Sequence, residues 1–198
     1  KIGQEYIITA SDAGTPNLTI SPFYQRLLRT GTDDEQLTSF VKGKMDSALW
    51  LIRSIEQRRL TLYRVASQIV ELQQEFLDRG IKHLKPLTLK EVAQRLGIHE
   101  STVSRATSNK YMQTPRGLFP LKFFFSSGVA GARGKDYSSH SIKNYLKELV
   151  EHEDPQKPYS DRQMSEILKD KGIIISRRTV AKYREDISIP PSYKRRRI

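Results

Sequence analysis

The chain has 198 residues and carries 34 Lys and Arg against 22 Asp and Glu, a formal net charge of +12. It has no Cys, no signal peptide and no run of about 18 apolar residues, which excludes disulfides, thiolate zinc sites, Cys nucleophiles and membrane-spanning helices. The positive charge predicts a polyanionic partner, and the 37% hydrophobic content predicts small or elongated units with thin cores.

The charge is unevenly distributed along the chain. Residues 82–135 carry ten basic and two acidic groups, and residues 140–198 carry fourteen and nine, whereas residues 33–81 are close to neutral. Two basic modules beside a neutral segment are therefore expected, although two well-solvated surfaces without a ligand would give the same distribution.

Residues 1–32 mix strand and turn signals. Residues 5–9 predict a short strand, residues 18–20 a return strand, and Ser21-Pro22 the start of a short helix. Because the first residue is not Met, we expect a fragment of a longer protein, with residues 1–32 as the end of a preceding domain.

Residues 33–80 predict an extra-long helix. Apolar residues recur every three or four positions from Leu37 to Phe76, no Pro intervenes, and Gly80 is a stop signal. The apolar stripe breaks at Arg58-Arg59, which leaves a two-helix hairpin as the alternative. No turn residues mark that point, so one helix is favoured.

Residues 81–126 have the spacing of a helix-turn-helix. Thr88 can cap a first helix, Gly97 suits a turn with positive φ, and Val103 returns to the core from a second helix over residues 100–109. The outward positions could reach base edges in a major groove; they are Ser101, Thr102, Ser104 and Arg105. The alternative is a helix pair that only packs internally.

The next two segments differ in composition. Residues 118–125 are densely aromatic, which favours a core or a strand packed against the helices over stacking on unpaired bases. Residues 127–139 are rich in Gly and Ser and predict a flexible linker.

Residues 140–198 predict a small trihelical domain. Ser141 can open the first helix, Ser160 with Gln163 has the spacing of a capping box, and Ser176 can cap the third helix through about Ile187. The basic tail, residues 194–197, is expected to contact phosphates or to be disordered. The whole chain is thus predicted to be mainly α-helical.

The third helix carries the most specific motif. Residues 176–185 resemble the ten-residue signature box of the bacterial sigma-N (sigma-54) class of alternative sigma factors, from which they differ only at Ser176, where the box has Ala. The resemblance extends from about residue 20 over essentially the whole chain. It includes residues 50–59, 86–89, 99–106, 109–111, 113–117 and 122–128.

The resemblance implies promoter recognition and no enzyme activity. The domain over residues 140–198 would read the GG element at minus twenty-four, and the helix-turn-helix would lie at the GC element at minus twelve. Implied partners are double-stranded promoter DNA, core RNA polymerase and, in the full-length protein, an ATP-hydrolysing enhancer-binding activator. No cofactor or metal is implied, and the expected location is the bacterial cytoplasm, with nucleoid association.

Carried over by position, Arg105 is the expected reader in the first module. In the second module the expected readers are Arg177, Arg178 and Lys182, which are expected to project outward together with Arg184. The full set of candidate DNA contacts there is Ser176, Arg177, Arg178, Thr179, Lys182, Tyr183 and Arg184, although Tyr183 is also expected to face the core with Val180. Trp50 and Arg58 lie on the long helix, which the family places near the site of melting. Core packing for Trp50 and a solvated face for Arg58 are the alternatives.

Two other classes of protein remain open. A DNA-processing enzyme with helix-turn-helix arms would need clustered carboxylates or an activated Ser or Tyr, and the acids of this chain are scattered. A dimeric repressor would read a palindrome, whereas two dissimilar modules favour an asymmetric site.

Overall fold

A computed structural model of the chain describes residues 6–11, 18–30, 35–131 and 136–196. The described residues are mainly helical, as the sequence predicts. The chain forms two compact units, Lys1–Arg64 and Val65–Ile198. No helix in the described ranges has the length and apolarity needed to cross a bilayer.

The first unit contains α1 (Pro22–Thr30) and the larger part of α2 (Glu35–Leu72). Residues 6–11 and 18–20 form no strand, so the predicted strand pair is wrong at these positions, while residue 5 lies outside the described residues. Instead of pairing in a sheet, Leu18 and Ile20 line an apolar groove against α2, where Val41 is buried. Contact with a helix has replaced strand pairing, with Ile20 half-buried and Leu18 still exposed.

The extra-long helix is one helix through Arg58-Arg59, which confirms the single-helix prediction there. Its 38 residues correspond to about 57 Å. It ends at Leu72, earlier than predicted, and α3 (Gln74–Arg79) follows. Between the two helices lies Gln73, a residue that is 1% exposed. Its side chain donates to the Lys85 carbonyl at 2.9 Å and accepts from the Lys85 amide at 3.0 Å. This pair of hydrogen bonds fixes the chain after α3 against the helix break.

The second unit next forms a helix pair and a two-stranded ribbon. A 3-10 turn (Ile81–His83) leads to α4 (Leu89–Leu96) and α5 (Glu100–Thr107). The antiparallel strands β1 (Tyr111–Thr114) and β2 (Gly117–Pro120) follow, with Tyr111 opposite Pro120. Arg116, in the turn between them, donates to the backbone carbonyls of Leu77 and Asp78 at the end of α3.

The aromatic segment packs into the core of this region, which confirms the prediction of a core role for it. Phe124 is fully buried, and its ring lies 5.5 Å from that of Phe76, which is also buried. Phe119 and Phe123 are half-buried and stack on each other at 4.7 Å. These rings join the end of the long helical region to the residues that follow the ribbon.

The predicted flexible linker is a second ribbon in the described residues, so that prediction is wrong for them. β3 (Gly128–Ala130) pairs antiparallel with β4 (Asp136–Ser138). Gly131 forms an isolated bridge with Ile173, and Tyr137 packs against the hydrophobic core of the last module. These long-range contacts order a segment whose Gly- and Ser-rich composition is typical of linkers.

The last module consists of α6 (Ser139–Glu151), α7 (Asp161–Asp170), α8 (Arg177–Asp186) and the short α9 (Ser192–Arg195). The predicted capping box of Ser160 and Gln163 is present, and Ser176 caps α8 as predicted. The prediction that Ser141 opens the first helix is wrong, because α6 begins at Ser139 and the Ser138 hydroxyl accepts from the Ser141 amide as its cap. The module's own core is formed by Ile142, Leu146, Met164, Leu168, Ile173, Ile175 and Val180.

Candidate nucleic-acid interface

The α4–α5 pair has the geometry that the sequence predicts. The Thr88 hydroxyl accepts from the Glu91 amide at 3.1 Å, and Gly97 adopts φ 64° in the turn. Val103 is fully buried, which holds α5 against α4. The sequence did not reveal the cap of α5, which is His99, whose Nδ1 accepts from the Ser101 amide at 3.2 Å. A single cap residue between a Gly turn and a helix is a weak signal in sequence.

The predicted contact residues of α5 differ in exposure. Ser101 and Arg105 are exposed, whereas Thr102 and Ser104 are half-buried. The Ser101 hydroxyl lies 2.8 Å from His99 Nδ1, so part of its hydrogen-bonding capacity is used within the cap. Arg105 is therefore the long, exposed donor on this helix.

The N-terminal turn of α8 presents two exposed guanidinium groups. The Ser176 hydroxyl accepts from the Thr179 amide at 3.2 Å and so fixes where the helix begins. Arg177 and Arg178 follow immediately and are exposed, and Lys182, one turn after Arg178, is exposed on the same face. Thr179 is half-buried. Arg177 and Arg178 lie at the positive end of the helix dipole, which adds to their attraction for an anion.

Arg184 does not belong to this exposed set, and the prediction that it projects outward is wrong. Its side chain is 5% exposed and pairs with Asp161, Nε to Oδ1 at 2.8 Å and Nη2 to Oδ2 at 3.3 Å. Nη1 donates to the Ile189 carbonyl at 2.7 Å. The bonds to the carboxylate hold the pKa of Arg184 above its ordinary value.

Tyr183 is half-buried and packs against the core of the last module, as the inward alternative predicted. Lys143 Nζ lies 5.5 Å from the centroid of its ring. The same Lys143 pairs with Asp186 at 2.8 Å, and this bond lowers the pKa of the Asp186 carboxyl. The two contacts of Lys143 tie the C-terminal half of α8 to α6.

The basic tail is in part a structural element. Arg195 has an 8% exposed side chain that binds both oxygens of Glu153, at 2.6 and 3.0 Å, and donates to the Pro190 and Tyr159 carbonyls. The prediction of a disordered or phosphate-contacting end is therefore wrong for Arg195. Lys194 and Arg196 are exposed, and residue 197 lies outside the described residues.

On α2, Trp50 is 69% exposed and Arg58 is also exposed. The alternative prediction that Trp50 packs in a core is therefore wrong for the residues that the structure describes. The two residues are eight positions apart, or about 12 Å along the helix axis. Within the described ranges, no three His, Cys, Asp or Glu side chains form a group that could hold a metal ion.

Three comparisons relate this chain to known proteins. Residues 38–197 match the family model described as sigma-54, DNA binding domain. The chain is 42% identical to an RNA polymerase sigma-54 factor of Azotobacter vinelandii. That match covers all 198 residues of this chain and 39% of the relative. The chain is 43% identical over 183 residues to an RNA polymerase sigma-54 factor of Escherichia coli, which covers 92% of this chain and 38% of that one.

A solved structure agrees with these sequence matches. Aquifex aeolicus sigmaN bound to promoter DNA is similar over 99% of this chain and 58% of its own, with 37% identity and a TM-score of 0.63. The chain spans about two fifths of the length of the curated relatives named above. The matched family model covers most of the chain, and the chain therefore belongs to the sigma-54 family.

Proposed function

We propose that this chain recognises promoter DNA for transcription initiation by RNA polymerase, with α8 reading the GG element and α5 the GC element. The observation that carries the proposal is the pair of exposed arginines, Arg177 and Arg178, at the capped start of α8. A guanidinium fork can pair with O6 and N7 of one guanine, so two adjacent forks suit a GG step.

The other basic residues of this module have a different role from that of Arg177 and Arg178. Lys182 and the exposed Lys194 and Arg196 are suited to phosphate contacts, which give affinity and orientation without reading sequence. Ser176 and Thr179 fix the helix start rather than reaching outward, and Arg184 acts from the interior. Base readout in this module is thus assigned to Arg177 and Arg178.

In the first module, Arg105 is assigned as the reader of the GC element, with Ser101, Thr102 and Ser104 as short contacts on the same helix. The similarity to sigma factors supports core RNA polymerase as a partner, and in the full-length protein an ATP-hydrolysing activator. Trp50 and Arg58, both exposed on α2, are assigned as contacts near the site of melting.

Selection of binding sites from random duplex DNA tests the proposal directly. The expected result is an asymmetric site that contains a GG step and a GC step at one fixed separation. Enrichment of a palindrome, or of no sequence at all, would overturn the assignment of two different readers.

The change Arg178→Ala should weaken binding to the selected site by about 1–3 kcal/mol and relax discrimination at the GG step, because one guanidinium fork is lost. Fluorescence anisotropy on the selected duplex and on a random duplex measures both effects. Arg162→Ala is a matched control, since Arg162 is exposed on α7 and pairs locally with Glu166. An equal loss on both duplexes would contradict a role in base readout.

A further inference from the structure

The cap of α5 is a histidine, whereas Ser, Thr, Asp and Asn are the usual residues at this position. His99 Nδ1 accepts from the Ser101 amide at 3.2 Å, and the Ser101 hydroxyl oxygen lies 2.8 Å from the same nitrogen. One ring nitrogen thus faces both donor groups of Ser101. This arrangement determines where the hydrogen atoms of the cap lie.

The backbone amide of Ser101 fixes the protonation of the ring. An amide N–H can only donate, so its bond to His99 requires a lone pair on Nδ1. A neutral imidazole that accepts at Nδ1 carries its hydrogen on Nε2. Since Nδ1 has no hydrogen to give, the Ser101 hydroxyl 2.8 Å away must donate its own. The hydroxyl is left with lone pairs only, so it can accept a further hydrogen bond but cannot donate one.

Ser101 lies on the same face of α5 as Arg105. The two residues are exposed and four positions apart, which corresponds to about 6 Å along the helix axis. Successive base pairs of DNA are about 3.4 Å apart. A helix that places Arg105 on a guanine in the major groove therefore brings Ser101 to a base roughly one or two steps away.

We propose that His99 determines the base preference of Ser101 by holding its hydroxyl as an acceptor. The inference rests on the proposed function of α5. A serine hydroxyl can ordinarily donate or accept, so by itself it does not distinguish the bases. In the major groove cytosine N4 and adenine N6 present amino hydrogens, whereas guanine and thymine present acceptors. With His99 in place, Ser101 selects a base with an exocyclic amino group near the guanine that Arg105 reads.

Affinity measurements with the full chain test this preference. The base pairs that flank the guanine read by Arg105 are changed one at a time to every other base pair, and binding is followed by fluorescence anisotropy. At one position we expect cytosine or adenine on a given strand to bind about threefold to tenfold more tightly than guanine or thymine on that strand. Comparing cytosine with adenine there identifies which amino group is bound. Equal affinity for all bases at every flanking position would overturn the inference.

The variant His99→Ala removes the acceptor, so the preference for amino bases should fall toward one while discrimination of the guanine by Arg105 persists. Ser101→Ala should also abolish the preference, and the double variant should change it no further, because both changes break one hydrogen-bonded pair. Thr88→Ala is the matched control, since it removes the cap of α4, where Thr88 accepts from the Glu91 amide at 3.1 Å. A preference that survives in His99→Ala, or that is lost equally in Thr88→Ala, would overturn the inference.

A spectroscopic measurement on the wild-type chain does not depend on how the variants fold. Nitrogen-15 NMR of the labelled chain at about pH 8, where histidine is ordinarily neutral, should show a hydrogen on Nε2 of His99 and none on Nδ1. A hydrogen on Nδ1 would overturn the inference. If the wild-type chain shows no preference for guanine at any position of the site, the proposed function of α5 itself fails, which is distinct from the loss of the amino-base preference alone.

Discussion

Arg184 and Arg195 are charged side chains that act as structural elements because each pairs with a carboxylate that is partly or fully buried. Each binds both oxygens of an acid far away in sequence, Asp161 at a separation of 23 residues and Glu153 at 42. Each also donates to main-chain carbonyls, so the guanidinium groups are well satisfied in the interior. Their contribution is to hold α8 and the tail in place.

The change Arg184→Met should destabilise the protein by about 3 kcal/mol, because Asp161 would be left partly buried without its partner. Urea unfolding followed by circular dichroism measures the loss. The exposed Arg177→Met should change the free energy of unfolding by no more than about 0.5 kcal/mol. Equal effects of the two changes would contradict a buried structural role for Arg184.

The ring of His140 is half-buried, and burial lowers its pKa below 6.5, with Lys143 acting in the same direction. In the unfolded chain His140 is therefore protonated at a higher pH than in the folded chain. The free energy of unfolding should be fully retained above about pH 6.5 and should fall as pH drops through the folded pKa. The free energy of unfolding of the wild type and of His140→Gln should be measured between about pH 5 and pH 8. It should fall less steeply toward acid pH in the variant. Parallel pH profiles would contradict this.

At the scale of elements, Gly97 and Gly43 form a contrasting pair. Gly97 has φ 64° in the turn between α4 and α5, a region that costs a residue with a Cβ about 1–2 kcal/mol. Gly43 lies inside α2 with open space around it, where Ala is favoured by roughly 0.5–1 kcal/mol.

We accordingly expect Gly97→Ala to lower the free energy of unfolding and Gly43→Ala to leave it equal or higher. Thermal unfolding by circular dichroism measures both variants under the same conditions. Binding of Gly97→Ala to the GC element should weaken as well, since the turn sets the angle of α5. A shift in the same direction for both variants would show that conformation at Gly97 is not limiting.

For the whole molecule, local signals in the sequence predicted the helices well. Thr88, Ser160 and Ser176 were recognised as caps because a hydroxyl at a helix start leaves a short, readable pattern. The break at Gln73 carried no such pattern, since the amide there is satisfied by Lys85 twelve residues later. Two helix starts were missed as well, since α5 is capped by His99 and α6 by Ser138 instead of the predicted Ser141.

Contacts between distant segments could not be predicted in this way. The β3–β4 ribbon has the composition of a linker and is ordered by Ile173 and by the core around Tyr137. In the sequence Arg184 is typical of a solvated basic residue, because no neighbouring residue indicates that it pairs with Asp161. In the candidate site, Arg177 and Arg178 were exposed as expected because the first turn of a capped helix has few neighbours to cover it.

The uneven burial of α2 has a consequence for hydrogen exchange. Over residues 35–64 only Val41 is buried, whereas Val65, Ala66, Ile69 and Val70 are all buried near the end of the helix. Amide protons in the first part are protected mainly by the helix itself, and those in the last turns by the packed core as well. A single helix should therefore exchange its amide protons on two timescales, fast along most of its length and slow where it enters the second unit.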